Sequence, residues 1–170
     1  KTLFPYTTLF RSHHNFQCIA LDPALFSGHF EKSPAEWAQL GAKQMMVDKK
    51  PGFPCRISLE DAEIGEEVLL LPYAHHAVAS PYQASGPIFI RKEVEMAKPG
   101  VNEIPLMLQH RLLSVRGYDE DGLMVAAVVV EGRDLATSIA ELFDNEQIEY
   151  LHLHNAKPGC YNCLVKRVPG

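Results

Sequence analysis

The chain has 170 residues, 46% hydrophobic and 22% charged, with 16 basic against 21 acidic side chains and a formal net charge of −5, a composition that excludes a disordered or collagenous chain. The longest apolar run, Leu123 to Val130, falls far short of the roughly 20 residues a bilayer-spanning helix needs. The acidic balance is the reverse of what a phosphate backbone attracts, so neither membrane nor nucleic acid is an expected partner.

Residues 1 to 12 are set aside first. Thr2 to Ser12, TLFPYTTLFRS, is the conceptual translation of a common sequencing adapter, and fold reasoning starts at residue 13. Without Lys1 and Arg11 the count is 14 basic against 21 acidic residues, or −7.

Phe16 to Leu21 reads as a short strand closed by Asp22-Pro23. Ser33-Pro34-Ala35-Glu36 is a capping box with proline at the first helical position. The helix it opens is expected to run to about Val47, with Trp37, Leu40, Gly41 and Met45 near one face and Trp37 as a core anchor. Pro51-Gly52-Phe53-Pro54 breaks the chain, after which Cys55 to Leu59 reads as a strand and Glu60 to Glu67 as a solvated acidic turn. Val68 to Tyr73 is a mostly buried strand. Ala74 to Pro87 lacks periodicity and reads as a long loop before the strand Ile88 to Arg91, and loops of that length are often functional. Within it, the adjacent His75 and His76 are expected to point apart and not to serve one site.

His110 to Tyr118 and Leu123 to Val130 flank Asp119-Glu120-Asp121-Gly122, a hairpin signal. Leu135, Ile139, Leu142 and Phe143 recur at helical spacing and predict a helix over Asp134 to Phe143. Ile148 to His154 and Tyr161 to Val168 read as a second antiparallel hairpin, turning through Asn155 to Gly159. Residues 13 to 170 are therefore expected to form a single α+β domain, a mainly antiparallel sheet with about two helices packed on it. Cys18, Cys55, Cys160 and Cys163, in a chain showing no export signal, are expected as reduced thiols in a cytoplasmic setting.

Three stretches carry a family resemblance: Pro51 to Ala62 (PGFPCRISLEDA), Ser80 to Arg91 (SPYQASGPIFIR) and His154 to Tyr161 (HNAKPGCY). Together they resemble a bacterial family catalogued as domain of unknown function 1203, over roughly residues 16 to 168. The resemblance implies one cytoplasmic-type domain and names no activity. The Cys160-x-x-Cys163 pair looks like a departure from the family's pattern, which has a small residue near the second position.

The densest grouping of reactive side chains is His152-x-His154-Asn155 followed by Cys160-x-x-Cys163. Residues two apart on a strand share a face, so His152 and His154 can converge, and the hairpin folds Cys160 back beside them. With Cys163, the pair of imidazoles and Cys160 would supply a tetrahedral zinc site, although a Cys-x-x-Cys within a strand aims its sulfurs at opposite faces. The same residues would serve a thiol enzyme, Cys160 activated by His152 or His154 with Asn155 orienting the imidazole. The competing structural reading makes Cys160 a buried small hydrophobe and leaves the histidines bonded to backbone carbonyls.

Alternation along His110 to Tyr118 puts His110, Ser114, Arg116 and Tyr118 on one face, able to hold a carboxylate or phosphate through the arginine fork, or else simply solvated. Arg91, Arg111 and Arg56 are candidates to add to that face, and Arg91, Arg116 and the Ser80 to Pro87 loop, with Tyr82 and Ser85, are candidate walls of the site at the His152 to Cys160 hairpin. No G-x-G-x-x-G, G-x-x-x-x-G-K-[ST], H-E-x-x-H or G-x-S-x-G is present. The sequence thus points to an unidentified small molecule, bound or transformed at the residue 152 to 160 hairpin. The alternative is a structural zinc or non-catalytic protein-interaction module.

Overall fold

The computed structural model describes residues 14–170, so the adapter-like residues 1–12 lie outside the described residues. Eight strands form two antiparallel sheets. The larger has the order β1-β8-β7-β5-β6, built from β1 (Phe16–Ile19), β5 (Leu112–Tyr118), β6 (Met124–Glu131), β7 (Tyr150–Asn155) and β8 (Tyr161–Arg167). The smaller has the order β2-β3-β4, from β2 (Lys43–Met46), β3 (Glu67–His76) and β4 (Ala84–Arg91). Three short helices accompany them: α1 (Pro34–Gln39), α2 (Leu106–Gln109) and α3 (Leu135–Phe143). The expected antiparallel strand pairing is present, but in two sheets rather than one, and with three helices rather than two.

Period-two alternation divides the larger sheet into an apolar and a polar face. Leu113 and Val115 of β5, Leu151 and Leu153 of β7, Cys163 and Val165 of β8, and Phe16 and Cys18 of β1 point to one side. There they meet Leu135, Ile139 and Phe143 of α3, a stripe at helical spacing, and Met107 and Leu108 of α2. The opposite face carries Ser114, Arg116 and Tyr118 of β5 beside Tyr150, His152 and His154 of β7, as the cross-strand pairs Ser114 with His154, Arg116 with His152 and Tyr118 with Tyr150 require. Tyr161 of β8 extends this face and enters a second core with Leu69, Leu71, Ile88 and Ile90 of the smaller sheet and with Phe26, Trp37, Cys55 and Ile57. The smaller sheet therefore covers part of the polar face and brings the end of β3 over the histidines.

Several elements differ from expectation for local reasons. The capping box forms, with Ser33 Oγ accepting from the Glu36 amide and Glu36 Oε2 accepting from the Ser33 amide, and Trp37 is buried with its indole N–H on the His29 carbonyl. The helix nevertheless ends at Gln39, because Gly41 turns left-handed at φ 70° and the chain then pairs as β2 along β3. Cys55 to Leu59 is not a strand. Cys55 makes one isolated bridge to Phe89, its carbonyl accepts from the Leu59 amide, and Leu59 has φ 50°, so the segment turns. The acidic block is not wholly solvated either, since Asp61 is buried against Arg111. The long loop shrinks to residues 77–83: β3 runs on to His76 and β4 starts at Ala84, because backbone pairing along small and polar residues leaves no apolar period to read. No helix among the described residues is long and apolar enough to cross a membrane.

Candidate functional site

The β7–β8 hairpin holds the histidines and Cys160 in two neighbouring groups. In the first, His152 and His154 share the polar face, their ring centroids 6.1 Å apart. Two further histidines join them from β3: His75 lies 5.1 Å from His154 and 6.2 Å from His152, and His76 lies 5.0 Å from His152. The expectation that His75 and His76 point apart is overturned by a register shift between Tyr73 and His76. A bulge of this kind breaks strict alternation and turns successive side chains to one side. Tyr161 stacks on His75 at 5.4 Å and 13°, and Tyr118 and Tyr150 close the other end around His76.

Hydrogen bonds set the tautomers. His76 is fully satisfied, donating from Nδ1 to the Tyr82 carbonyl at 2.8 Å and accepting at Nε2 from the Tyr150 hydroxyl at 2.7 Å. His154 donates from Nδ1 to the Gly159 carbonyl at 2.9 Å, which leaves its Nε2 as a bare acceptor. That Nε2, the Nδ1 of His75 and the Nδ1 of His152 are buried with no hydrogen-bond partner. Burial, reinforced by the neighbouring imidazoles and Arg116, holds His152 down to about 3. Burial likewise lowers His154 to about 4, with Arg116 acting in the same direction and the Gly159 carbonyl opposing, and it lowers His75. All three rings are neutral at pH 7. As they stand, no group of three or more His, Cys, Asp or Glu among the described residues is placed to hold a metal ion.

The second group surrounds Cys160. Gly159, at φ 82°, closes the turn, with its amide on the Asn155 carbonyl and the Asn155 amide on the Cys160 carbonyl. Asn155 does not orient an imidazole. Its Nδ2 donates to Cys160 Sγ at 3.1 Å, and its Oδ1 accepts from Asn162 Nδ2 at 2.8 Å. Arg56, 1% exposed, runs beneath, donating from Nε to the Tyr161 carbonyl at 2.7 Å and from Nη1 to the Pro54 carbonyl. Burial lowers the guanidinium's pKa, and the neighbouring sulfur of Cys160 works against that shift. Cys160 is half-buried and lines a cavity of about 520 Å³ with Arg56, Phe89, Arg111, Asn155 and Lys157. Cys163 belongs to the opposite, apolar core with Cys18, so a zinc site taking both Cys160 and Cys163 is not assembled.

The remaining expected residues divide. Ser114, Arg116 and Tyr118 lie with the histidines, whereas His110 ends α2 and lines a different cavity. The ring of Tyr82 packs 6.3 Å from Tyr118. Ser85 is exposed on β4. Arg91 pairs with Glu66 through two nitrogens, at 2.8 and 2.6 Å, and with Glu60. It sits opposite Val68, eight residues along β3 from His76, which is roughly 25 Å of strand. Sequence reasoning gave Arg56 and the adjacent His75 and His76 no part in the leading site. A lone arginine inside the apolar run Cys55 to Leu59 was a readable signal; the bulge had none.

A family model described as a protein of unknown function, DUF1203, matches residues 52–167. No curated protein and no solved structure matches the chain.

Proposed function

We propose that this chain, which belongs to the DUF1203 family of proteins of unknown function, binds a small anionic molecule beside the Cys160 thiol and uses that thiol as its reactive group. The observation that carries the reading is the buried Arg56 guanidinium. Its hydrogen-bond partners among the described residues are two carbonyls, with the Cys160 sulfur beside it and no carboxylate. A buried cation costs several kcal/mol unless an opposite charge pairs with it. An anionic ligand in the adjoining cavity supplies that charge.

The parts have separate tasks. Asn155, held by Asn162, directs one N–H at the sulfur, and Lys157 and Arg56 make the cavity wall positive while Phe89 and Leu112 make it apolar. His154 acts by position: its Nδ1–H holds the Gly159 carbonyl and so fixes the residue before Cys160. No hydrogen bond among the described residues joins the sulfur to His152 or to His154, whose Nδ1–H is on the Gly159 carbonyl. Four free cysteines agree with a reducing, cytoplasm-like setting.

Alkylation tests the reading directly, since Cys18, Cys55 and Cys163 are buried and Cys160 is half-buried. Iodoacetate and iodoacetamide both form an S–C bond with loss of iodide, but only the former carries a carboxylate. Relative to free cysteine, the iodoacetate-to-iodoacetamide rate ratio at Cys160 is expected to rise about tenfold, equivalent to ~1.4 kcal/mol. It should fall back in Lys157→Gln, at the cavity rim, and further in Arg56→Gln, with folding checked by circular dichroism. A parent ratio equal to that of free cysteine would refute the proposal.

A further inference from the structure

We infer that the polar face of the larger sheet, where Arg116 stands beside His75, His152 and His154, is a second binding site, for a small oxyanion of the carboxylate, sulfate or phosphate kind. The inference does not rest on Cys160. It starts from the three buried ring nitrogens that have no partner, His75 Nδ1, His152 Nδ1 and His154 Nε2. Native structures rarely leave such atoms unpaired, and a set of them in one place marks something that completes the bonding.

Charge decides what that is. Arg116 donates from Nε to Ser114 Oγ at 3.2 Å and lies beside the Tyr118 hydroxyl. No ion pair between Arg116 and a carboxylate occurs among the described residues. The groups around the orphan nitrogens are His75, His76 and Tyr73 of β3, Arg116 and Tyr118 of β5, Tyr150, His152 and His154 of β7, Tyr161 of β8, Tyr82 of the turn, and Arg56 behind His154. Asp119 is the carboxylate that acts on Tyr150, and its Oδ1 already accepts from the amides of Asp121 and Leu123. A positive centre without a counter-charge repels a metal cation and attracts an anion, and a guanidinium fork matches an oxyanion's paired oxygens.

Access comes from the side of β6. The cross-strand neighbours of Arg116 and Ser114 there are Ala127 and Val129. Both are exposed, Val129 at 65%, so the smaller sheet does not cover this end. Arg116 is half-buried at the opening and His152 and His154 lie behind it on β7, with the half-buried His75 packed over them against Tyr161. An anion entering there meets the Arg116 N–H groups at once. It favours the protonated imidazoles, in which every ring nitrogen is a donor and His154 Nε2 is no longer a bare acceptor, so binding takes up protons.

Titration of the protein with sodium sulfate against sodium chloride at equal ionic strength, followed by calorimetry, tests this. Sulfate remains a dianion across the range used. The dissociation constant is expected to be at least tenfold lower at pH 6.0 than at pH 8.0, with proton uptake visible as a dependence on buffer ionisation enthalpy. Arg116→Gln and, among the half-buried residues, His75→Asn are each expected to weaken binding about tenfold. The inference is overturned if sulfate binds no better than chloride, if affinity is the same at both pH values, or if Arg116→Gln binds as the parent does. It is also overturned if protein purified without chelator carries stoichiometric zinc that His152→Ala loses.

Discussion

Acidification is the sharpest perturbation for this molecule, because it acts on two imidazoles the fold keeps neutral. His152 and His154 are held at about 3 and about 4 against an ordinary 6.5. The folded values lie below the unfolded one, so the unfolded chain takes up protons that the native state refuses. The stability these groups contribute is therefore complete above about pH 6.5 and is lost as pH falls toward 4 and then 3. At pH 5 each imidazole has cost about 2 kcal/mol relative to pH 8, and the pair about 4 kcal/mol. The rings lie in one cluster, so that figure belongs to the pair rather than to either member. Set against a typical total of about 5–15 kcal/mol, the loss is large. His75, more exposed and lowered for the same reason, adds a smaller share. The carboxylates whose values the structure lowers, Glu36 and Glu66, start from 4.5 and act below this window. Urea unfolding at pH 8.0 and 5.0, in chloride buffers free of oxyanions, measures the difference. His152→Asn is expected to reduce the pH dependence by about 2 kcal/mol whatever it does to stability at pH 8. Equal parent stability at the two pH values, or a variant with the parent's full pH dependence, would refute the reasoning.

Two further outcomes follow from single contacts. A Cβ on Gly132 would stand 1.9 Å from the Leu108 carbonyl oxygen, and since that neighbour is backbone, Gly132→Ala is expected to cost about 3 kcal/mol or more. A thermal melt within about 0.5 kcal/mol of the parent would contradict the α2 placement. Asp61 receives Arg111 through two nitrogens, at 2.9 and 2.5 Å, and is nearly buried. Asp61→Ala strands the guanidinium and is expected to lose about 3–5 kcal/mol in urea unfolding, part of it recovered in the Asp61→Ala, Arg111→Met double variant. No recovery would mean that the pair's charge is not what matters.

What was legible in the sequence was whatever depends on local period and turn chemistry. The β5–β6 hairpin follows from Asp119 to Gly122, where Asp119 Oδ1 takes two amides and Gly122 turns at φ 75°. Helix α3 follows from Leu135, Ile139 and Phe143, and the β7–β8 hairpin from its Asn155 to Gly159 turn. The sharing of one face by His152 and His154 is strand geometry and was also readable. The elements misread are those fixed by partners distant in sequence. Lys43 to Met46 has a helical pattern but sits where β3 needs an edge partner. Arg56 bends its segment to reach the Tyr161 carbonyl, 105 residues away. His75 and His76 reach the site only through an irregularity in β3–β4 pairing, and bulges leave no periodic trace.

The same irregularity bears on how the two proposed sites relate. Tyr161 stacks its ring on His75 while its carbonyl accepts from Arg56, and Gly159 gives its carbonyl to His154 one residue before Cys160. One short stretch of backbone, residues 159 to 161, is thus shared by the histidine face and the thiol cavity. A charge arriving on the histidine face changes the strength with which His154 holds Gly159, because an imidazolium N–H is the stronger donor. Coupling between the sites has two direct routes, that hydrogen bond and the Arg56 charge acting on His154, and obeys reciprocity: sulfate alters the affinity of a non-covalent ligand in the thiol cavity by the same factor by which that ligand alters sulfate affinity. His154→Asn removes both direct routes while leaving Arg116 and Arg56 in place, so the coupling factor, measured as sulfate affinity with and without the cavity ligand, is expected to fall toward one, with Tyr161 as the remaining connection.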